Sequence, residues 1–137
     1  MEHKKGFNLG LFVLRLGLAL VLLWFGMSEV TNPAKWTSYV PDYVTRFLPL
    51  DDYYFVLING IIEIALALML LLGIGIKLSS LLVAIHLFII VISVGYNEIG
   101  VRDFGLAMSA LALFILSLQH EPSHLSKKQM SILRFIK

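Results

Sequence analysis

One carboxylate lies near the middle of an apolar segment, Tyr53 to Leu72, and this feature constrains the fold most. A helix of about 20 residues is about 30 Å long, which matches the hydrocarbon core of a bilayer. An ionisable side chain at that depth, here Glu63, is costly unless it is paired or hydrated. Other helices must therefore supply partners for Glu63, and this requirement decides how they face.

The composition is that of a polytopic membrane protein. Of the 137 residues, 58% are hydrophobic and 15% are charged, and the mean hydropathy is +0.86. A soluble domain is about 45–50% apolar and about a quarter charged. We therefore expect a single domain over residues 1–137, multi-pass in the cell membrane and surrounded by lipid. The net charge of +2 is too small to indicate a nucleic-acid partner.

Cysteine is absent from the sequence, so disulfides and thiolate metal ligands are excluded within this chain. His120 and His124 stand four residues apart, as a metal pair on one helix face would. No third ligand stands beside them, which favours a solvated tail. We predict no metal site.

Four apolar runs predict an all-α, integral membrane four-helix bundle. The expected spans are about 7–28, 53–72, 78–94 and 104–118. The first run is too long for a signal peptide and is not followed by an Ala-x-Ala-like cleavage site, so we expect it to be retained. The remainder, 119–137, is a basic tail that either forms a short helix on the membrane surface or frays.

The connection between the first two spans predicts an interfacial helical segment. Asn32 and Pro33 suit a helix start, and aromatic residues then recur at helical spacing, although Pro41 should bend or divide the segment. Aromatic side chains of this kind anchor a chain at the membrane surface. A lid over a site is the alternative. The aromatic residues are Trp36, Tyr39, Tyr43 and Phe47.

The basic residues predict that both termini are cytoplasmic. Four spans place the termini on one side, and the positive-inside rule assigns the more basic side to the cytoplasm. That side holds seven basic residues and the opposite side three, with Arg15 inside a span. The seven are Lys4, Lys5, Lys77, Lys127, Lys128, Arg134 and Lys137, and the three are Lys35, Arg46 and Arg102.

Each span confines its polar residues to one helical face, and the polar residues of different spans lie at a similar depth in the membrane. Counted from the predicted cytoplasmic ends of their spans, Arg15 lies about 12 Å deep, Glu63 about 15 Å and His86 about 13 Å. Ser109 reaches nearly the same level, and Asn59 shares the face of Glu63. We therefore predict one polar layer in which Arg15 pairs with Glu63. Two interpretations stay open: a salt bridge that fixes helix register, or a pocket for a ligand or a proton served by His86.

A second polar group is expected at the outer rim of the bundle. The topology brings together residues at the ends of the first and third spans and at the start of the fourth. Asp103 alone has a simpler interpretation, which we favour, as the N-cap of the fourth helix. The rim residues are Glu29, Asn97, Glu98, Arg102 and Asp103.

Three motifs over residues 8–118 resemble the DoxX-like (DoxX/DoxD) family of small membrane proteins. They are Leu-Arg15-Leu-Gly17 through Gly26-Met-Ser-Glu29, Asn59-Gly-Ile-Ile-Glu63 followed by Leu-Leu-Leu-Gly73, and Val101-Arg102-Asp103-Phe-Gly105-Leu. One departure is Ser28-Glu29, where many relatives end the first span with a lysine after the glycine. The resemblance implies a four-helix membrane bundle. Relatives include the DoxD-like subunit of thiosulfate:quinone oxidoreductase, partners of membrane redox complexes, and trafficking or assembly factors.

The function expected from residues and resemblance together is that of a membrane subunit or accessory of a quinone-linked oxidoreductase. No flavin, haem or iron–sulfur motif is visible, so we expect no covalent cofactor, a quinone as ligand, and electrons from a partner subunit or the substrate. The alternative is a non-catalytic assembly, scaffold or lipid-binding protein whose polar layer is structural. A channel or transporter is a third class and would require homo-oligomerisation.

Overall fold

The structure is a computed structural model that describes residues 2–47 and 49–119, and every regular element in these residues is helical. The helices are α1 (Glu2–Thr31), α2 (Asp42–Phe47), α3 (Asp52–Leu72), α4 (Ile76–Val94) and α5 (Glu98–Gln119). Two 3₁₀ turns, Pro33–Lys35 and Thr37–Tyr39, precede α2. Helices α1, α3, α4 and α5 are long and apolar enough to cross a membrane. The predicted all-α four-helix architecture is confirmed, while the tail from residue 120 onwards lies outside the described residues.

Helices α1 and α5 extend beyond the predicted spans, because backbone hydrogen bonds continue through polar residues at the ends of an apolar run. Helix α5 begins at Glu98, well before the predicted start. Its cap is Asn97, whose Oδ1 accepts a hydrogen bond from the Gly100 N–H at 2.9 Å. Asp103 lies inside the helix and is 1% exposed, so its predicted role as the helix cap is wrong.

The four long helices form two closely packed antiparallel pairs. Helix α1 packs along α3, and α4 packs along α5, whereas α3 and α4 contact each other more sparsely. Both pairs contribute to one apolar core, which holds the bundle together by van der Waals packing. Its fully buried side chains include Leu22, Leu70, Val83, Leu87 and Leu113.

Two glycines set the distance between α1 and α3. A Cβ on Gly26 would lie 2.8 Å from the carbonyl oxygen of Gly60, and a Cβ on Gly60 would lie 2.8 Å from the carbonyl oxygen of Gly26. No side chain fits at either position without moving a backbone. The crossing therefore depends on both residues lacking a Cβ.

A tight turn over residues 73–75 joins α3 to α4 at one end of the bundle, which we call the closed end. Gly73 ends α3 in the left-handed region, at φ 73°. The first residues of α4 include Ser79 and Ser80, both fully buried, whose hydroxyls donate to carbonyls of their own helix. Small side chains here allow close packing against the rest of the bundle.

Residues 32–47 and 49–51 cross the opposite end of the bundle, which we call the open end. Pro41 separates the two 3₁₀ turns from α2, as predicted. The Trp36 ring meets Phe25 edge to face, with ring centroids 5.6 Å apart, and its Nε1 donates to Ser28 Oγ at 3.2 Å. These contacts fix the segment over the bundle. Its attachment to the membrane surface stays a prediction.

Candidate functional site

A cavity of about 390 Å³ lies at the open end between α3 and α4. The turn at the closed end joins α3 to α4, and the cavity lies between the half of each helix that is farther from this turn. Residues 36–41 and Leu50 cover it, and most of its wall is apolar. Its volume lies in the range of about 300–1,000 Å³ found for small-molecule sites. The lining residues with polar side-chain groups are Glu29, Trp36, Tyr39, Asn59, Glu63, His86, Ser93, Arg102 and Asp103.

Glu63 and His86 face each other across this gap, from α3 and α4. Glu63 is 3% exposed, and its Oε1 lies 3.9 Å from His86 Nε2, a distance too long for a hydrogen bond. Glu63 Oε2 and His86 Nε2 are buried and have no hydrogen-bond partner among the described residues. Buried polar atoms are almost always satisfied, so two unsatisfied atoms beside one cavity have room there for a hydrogen-bonding partner such as water or a ligand.

Arg102 and Asp103 form a second polar pair, on α5. Arg102 Nε and Nη2 both lie 2.6 Å from Asp103 Oδ1, so one carboxylate oxygen receives both bonds. The guanidinium also stacks on Phe25 of α1, 3.6 Å from the ring centroid. Asp103 Oδ2 is buried and accepts no hydrogen bond from the described residues.

Glu29 and Asn59 form the third pair, which joins the last turn of α1 to α3. Asn59 Nδ2 donates to Glu29 Oε2 at 2.8 Å. The close crossing at Gly60 brings the helices near enough for this bond, since a Cβ on Gly60 would lie 2.8 Å from that of Glu29. Residues predicted for two separate groups, the inner layer and the outer rim, thus belong to a single cluster around one cavity.

The predicted pair between Arg15 and Glu63 is wrong. The guanidinium of Arg15 lies beside Gly73 at the closed end, where a Cβ on the glycine would lie 2.9 Å from Arg15 Nη1. Gly73 is ten residues from Glu63, or about 15 Å along α3. The predicted depths assumed that α1 starts at Phe7 level with the end of α3, whereas α1 starts at Glu2 and extends past that end.

Three further predicted members lie outside the cavity lining. Ser109 donates to the carbonyl oxygen of Gly105 in its own helix at 2.8 Å, so its hydroxyl is satisfied locally. Asn97 caps α5, and both Asn97 and Glu98 are exposed. The structure therefore gathers Glu29, Asn59, Glu63, His86, Arg102 and Asp103, and leaves Arg15, Ser109, Asn97 and Glu98 apart.

Phe25 is a residue that sequence reasoning missed. Its ring supports both the Arg102 guanidinium and the Trp36 indole. The available signal was its position four residues before Glu29, which places both residues on one face of α1. Aromatic residues are common in membrane helices, so this spacing alone did not separate Phe25 from its lipid-facing neighbour Trp24, which is 60% exposed.

Comparison with known protein families identifies the family of the chain. The family model for DoxX matches residues 10–95, which is more than half of the chain. The chain belongs to the DoxX family. No curated protein and no solved structure matches it. The matched range contains Glu29, Asn59, Glu63 and His86, so most of the cavity lies within the part of the chain that defines the family.

Acidic side chains outnumber basic ones around the cavity of this DoxX protein. Three carboxylates, Glu29, Glu63 and Asp103, line it together with one guanidinium, Arg102. His86 adds a positive charge only when it is protonated. Within residues 2–47 and 49–119, no three His, Asp or Glu side chains are grouped so as to hold a metal ion. The arrangement suits a ligand with an apolar body and a polar head, and it offers carboxylate and imidazole groups that can exchange protons with that head.

Proposed function

We propose that this multi-pass membrane protein is a membrane subunit or accessory of a quinone-linked oxidoreductase, and that the cavity at the open end binds the quinone. The observation that carries the proposal is the pair of unsatisfied buried atoms, Glu63 Oε2 and His86 Nε2, beside an otherwise apolar cavity. A quinone ring needs apolar walls and a hydrogen-bond partner at its oxygens. His86 Nε2 supplies such a partner when it carries the proton.

The route into the cavity also favours a lipid-soluble ligand. Helices α3 and α4 contact each other only sparsely, and their apolar side chains beside the cavity are exposed to lipid. Ile58 is 47% exposed, Ile62 43% and Ile89 58%, and all three line the cavity. A molecule dissolved in the bilayer therefore reaches the site laterally, without passing through water.

A bound quinone supplies two-electron chemistry, and the chain supplies orientation and proton exchange. The isoleucines pack against the ring, while Glu63 and His86 hold or release protons beside its oxygens. Electrons come from a partner subunit or directly from the substrate.

The test uses the two tryptophans as reporters. Trp36 lines the cavity and Trp24 faces lipid, so Trp24→Phe leaves a reporter at the site and Trp36→Phe leaves one away from it. Quinones quench indole fluorescence on contact. We expect short-chain quinones to quench the Trp24→Phe protein in a saturable manner, and the Trp36→Phe protein only in proportion to concentration. The same linear quenching of both variants would refute a quinone site here.

The alternative function is a non-catalytic assembly or lipid-binding protein. The satisfied pairs favour it, because the Arg102–Asp103 contact and the Glu29–Asn59 hydrogen bond stabilise the bundle without any ligand. Under this alternative, the Trp24→Phe protein shows saturable quenching by spin-labelled or brominated lipids and only linear quenching by quinones.

A further inference from the structure

Three side chains around the cavity direct N–H donors to other groups of the protein. Arg102 directs Nε and Nη2 to Asp103 Oδ1, and Asn59 Nδ2 donates to Glu29. Trp36 directs its indole N–H out of the cavity to Ser28. The hydroxyls of Tyr39 and Ser93 and the remaining N–H groups of Arg102 also lie at the cavity, so a ligand that only accepts hydrogen bonds still finds donors there.

What the cavity lacks is a hydrogen-bond donor for each of two buried carboxylate oxygens. Glu63 Oε2 on α3 and Asp103 Oδ2 on α5 are buried, and neither receives a hydrogen bond from the described residues. Both residues line the cavity, at 3% and 1% exposure. An ionised carboxylate can only accept, and leaving such an oxygen unsatisfied away from water is costly.

We propose that the cavity selects a head group that donates hydrogen bonds, and that of a quinone and hydroquinone pair it holds the hydroquinone more tightly. This inference rests on the proposed function, since it takes that pair as the ligand. The two hydroxyls of a hydroquinone supply what Glu63 Oε2 and Asp103 Oδ2 lack. A quinone can accept from His86 Nε2 or from the Tyr39 and Ser93 hydroxyls, but it presents carbonyl oxygens to the two carboxylates and leaves them unsatisfied.

The composition of the lining supports the same selection. Three acidic side chains and one guanidinium line the cavity, so carboxyl oxygens outnumber the cationic groups that could donate to them. Preferential binding of the reduced form raises the midpoint potential of the bound pair. A tenfold preference corresponds to about 30 mV for two electrons.

The experiment compares two ligands that differ in one donor and undergo no redox change. These are 4-hexylphenol and its methyl ether, 4-hexylanisole, titrated into the purified full-length protein in detergent by calorimetry. Quenching of Trp36 by a short-chain quinone, and its reversal by each compound, gives an independent reading. We expect the phenol to bind about tenfold more tightly, since the ether leaves buried acceptors unsatisfied.

The outcomes separate this inference from the proposed function. If quinone and ether bind as tightly as the phenol, the cavity is a quinone site without donor selection, and the inference is overturned alone. If none of the three binds, the proposed function fails and the inference fails with it. If hexylammonium binds more tightly than the phenol, the preferred donor is a cation, and the assignment to hydroquinone is overturned.

A variant tests which atoms make the selection. Glu63→Gln replaces a free acceptor by an amide that can also donate, so the preference for phenol over ether should fall towards equality. Asp52→Asn is the matched control, because Asp52 also has a buried unsatisfied oxygen on α3 but does not line the cavity. It should keep the tenfold preference. An unchanged preference in Glu63→Gln would show that this carboxylate does not select the ligand.

Discussion

Two buried carboxylates on the cavity wall differ in how their charge is compensated. Asp103 receives two guanidinium contacts on one oxygen, whereas Glu63 has only His86 at 3.9 Å. The cost of removing a partner follows this difference. Loss of Arg102 leaves Asp103 almost completely buried and without its cation, whereas loss of Arg15 removes nothing that Glu63 contacts.

The first prediction is a pair of double-mutant cycles. Arg102→Met should lower the free energy of unfolding by about 1–3 kcal/mol, because Asp103 keeps a buried charge without a donor. Adding Asp103→Leu should recover part of that loss, so the two changes are coupled by more than about 0.5 kcal/mol. The matched control is the cycle of Arg15→Met and Glu63→Gln, which should be additive. Denaturation of the purified protein in mixed micelles measures both cycles, and coupling in the control cycle alone would contradict the assignment.

At the scale of helices, α1 and α3 are held at a fixed separation by the Gly26–Gly60 crossing. A Cβ on Gly26 meets backbone atoms rather than the flexible end of a side chain, so the contact cannot be relieved by a change of rotamer. The helices must move apart, and the hydrogen bond between Asn59 and Glu29 lengthens with them.

The second prediction concerns this crossing. Gly26→Ala should destabilise the protein by about 1–3 kcal/mol, the usual cost of overpacking, and should weaken ligand binding at the cavity. Gly17→Ala is the control on the same helix, since nothing lies within 4 Å of a Cβ there. It should be neutral or stabilising by up to about 1 kcal/mol, because alanine favours a helix. Equal effects of the two substitutions, measured by denaturation in mixed micelles, would contradict a close crossing.

The apolar runs were sufficient to predict the existence of each long helix, and the polar faces predicted most residues of the cluster. The offset of one helix against its neighbour was not predictable in the same way. Arg15 and Glu63 have similar depths in their own apolar runs, but α1 begins at Glu2 and extends past the end of α3. The length of the extension depends on packing at Gly26 and Gly60, which no hydrophobic pattern encodes.

At the scale of the whole molecule, the open and closed ends place two exposed residues on opposite sides of the membrane. Ser38 lies in the connection at the open end, and Ile74 lies in the turn at the closed end. The basic residues that the predicted topology places on the closed side lead us to expect that this side faces the cytoplasm.

The third prediction tests this orientation. A membrane-impermeant maleimide should label Ser38→Cys in intact cells and Ile74→Cys only after permeabilisation. The natural chain contains no cysteine, so each variant carries a single reactive thiol and the unmodified protein is the blank. Labelling of Ile74→Cys, but not of Ser38→Cys, in intact cells would reverse the assignment.

The tight turn over residues 73–75 has a mechanical consequence. It joins two stiff antiparallel pairs, α1 with α3 and α4 with α5, whose internal spacing is fixed by close packing. In such an arrangement the turn can act as a hinge between two rigid bodies. A small rotation there changes the width of the open end far more than the width of the closed end. We therefore expect the cavity to adjust to ligands of different size by a change in the angle between the pairs, while each pair moves as a rigid body.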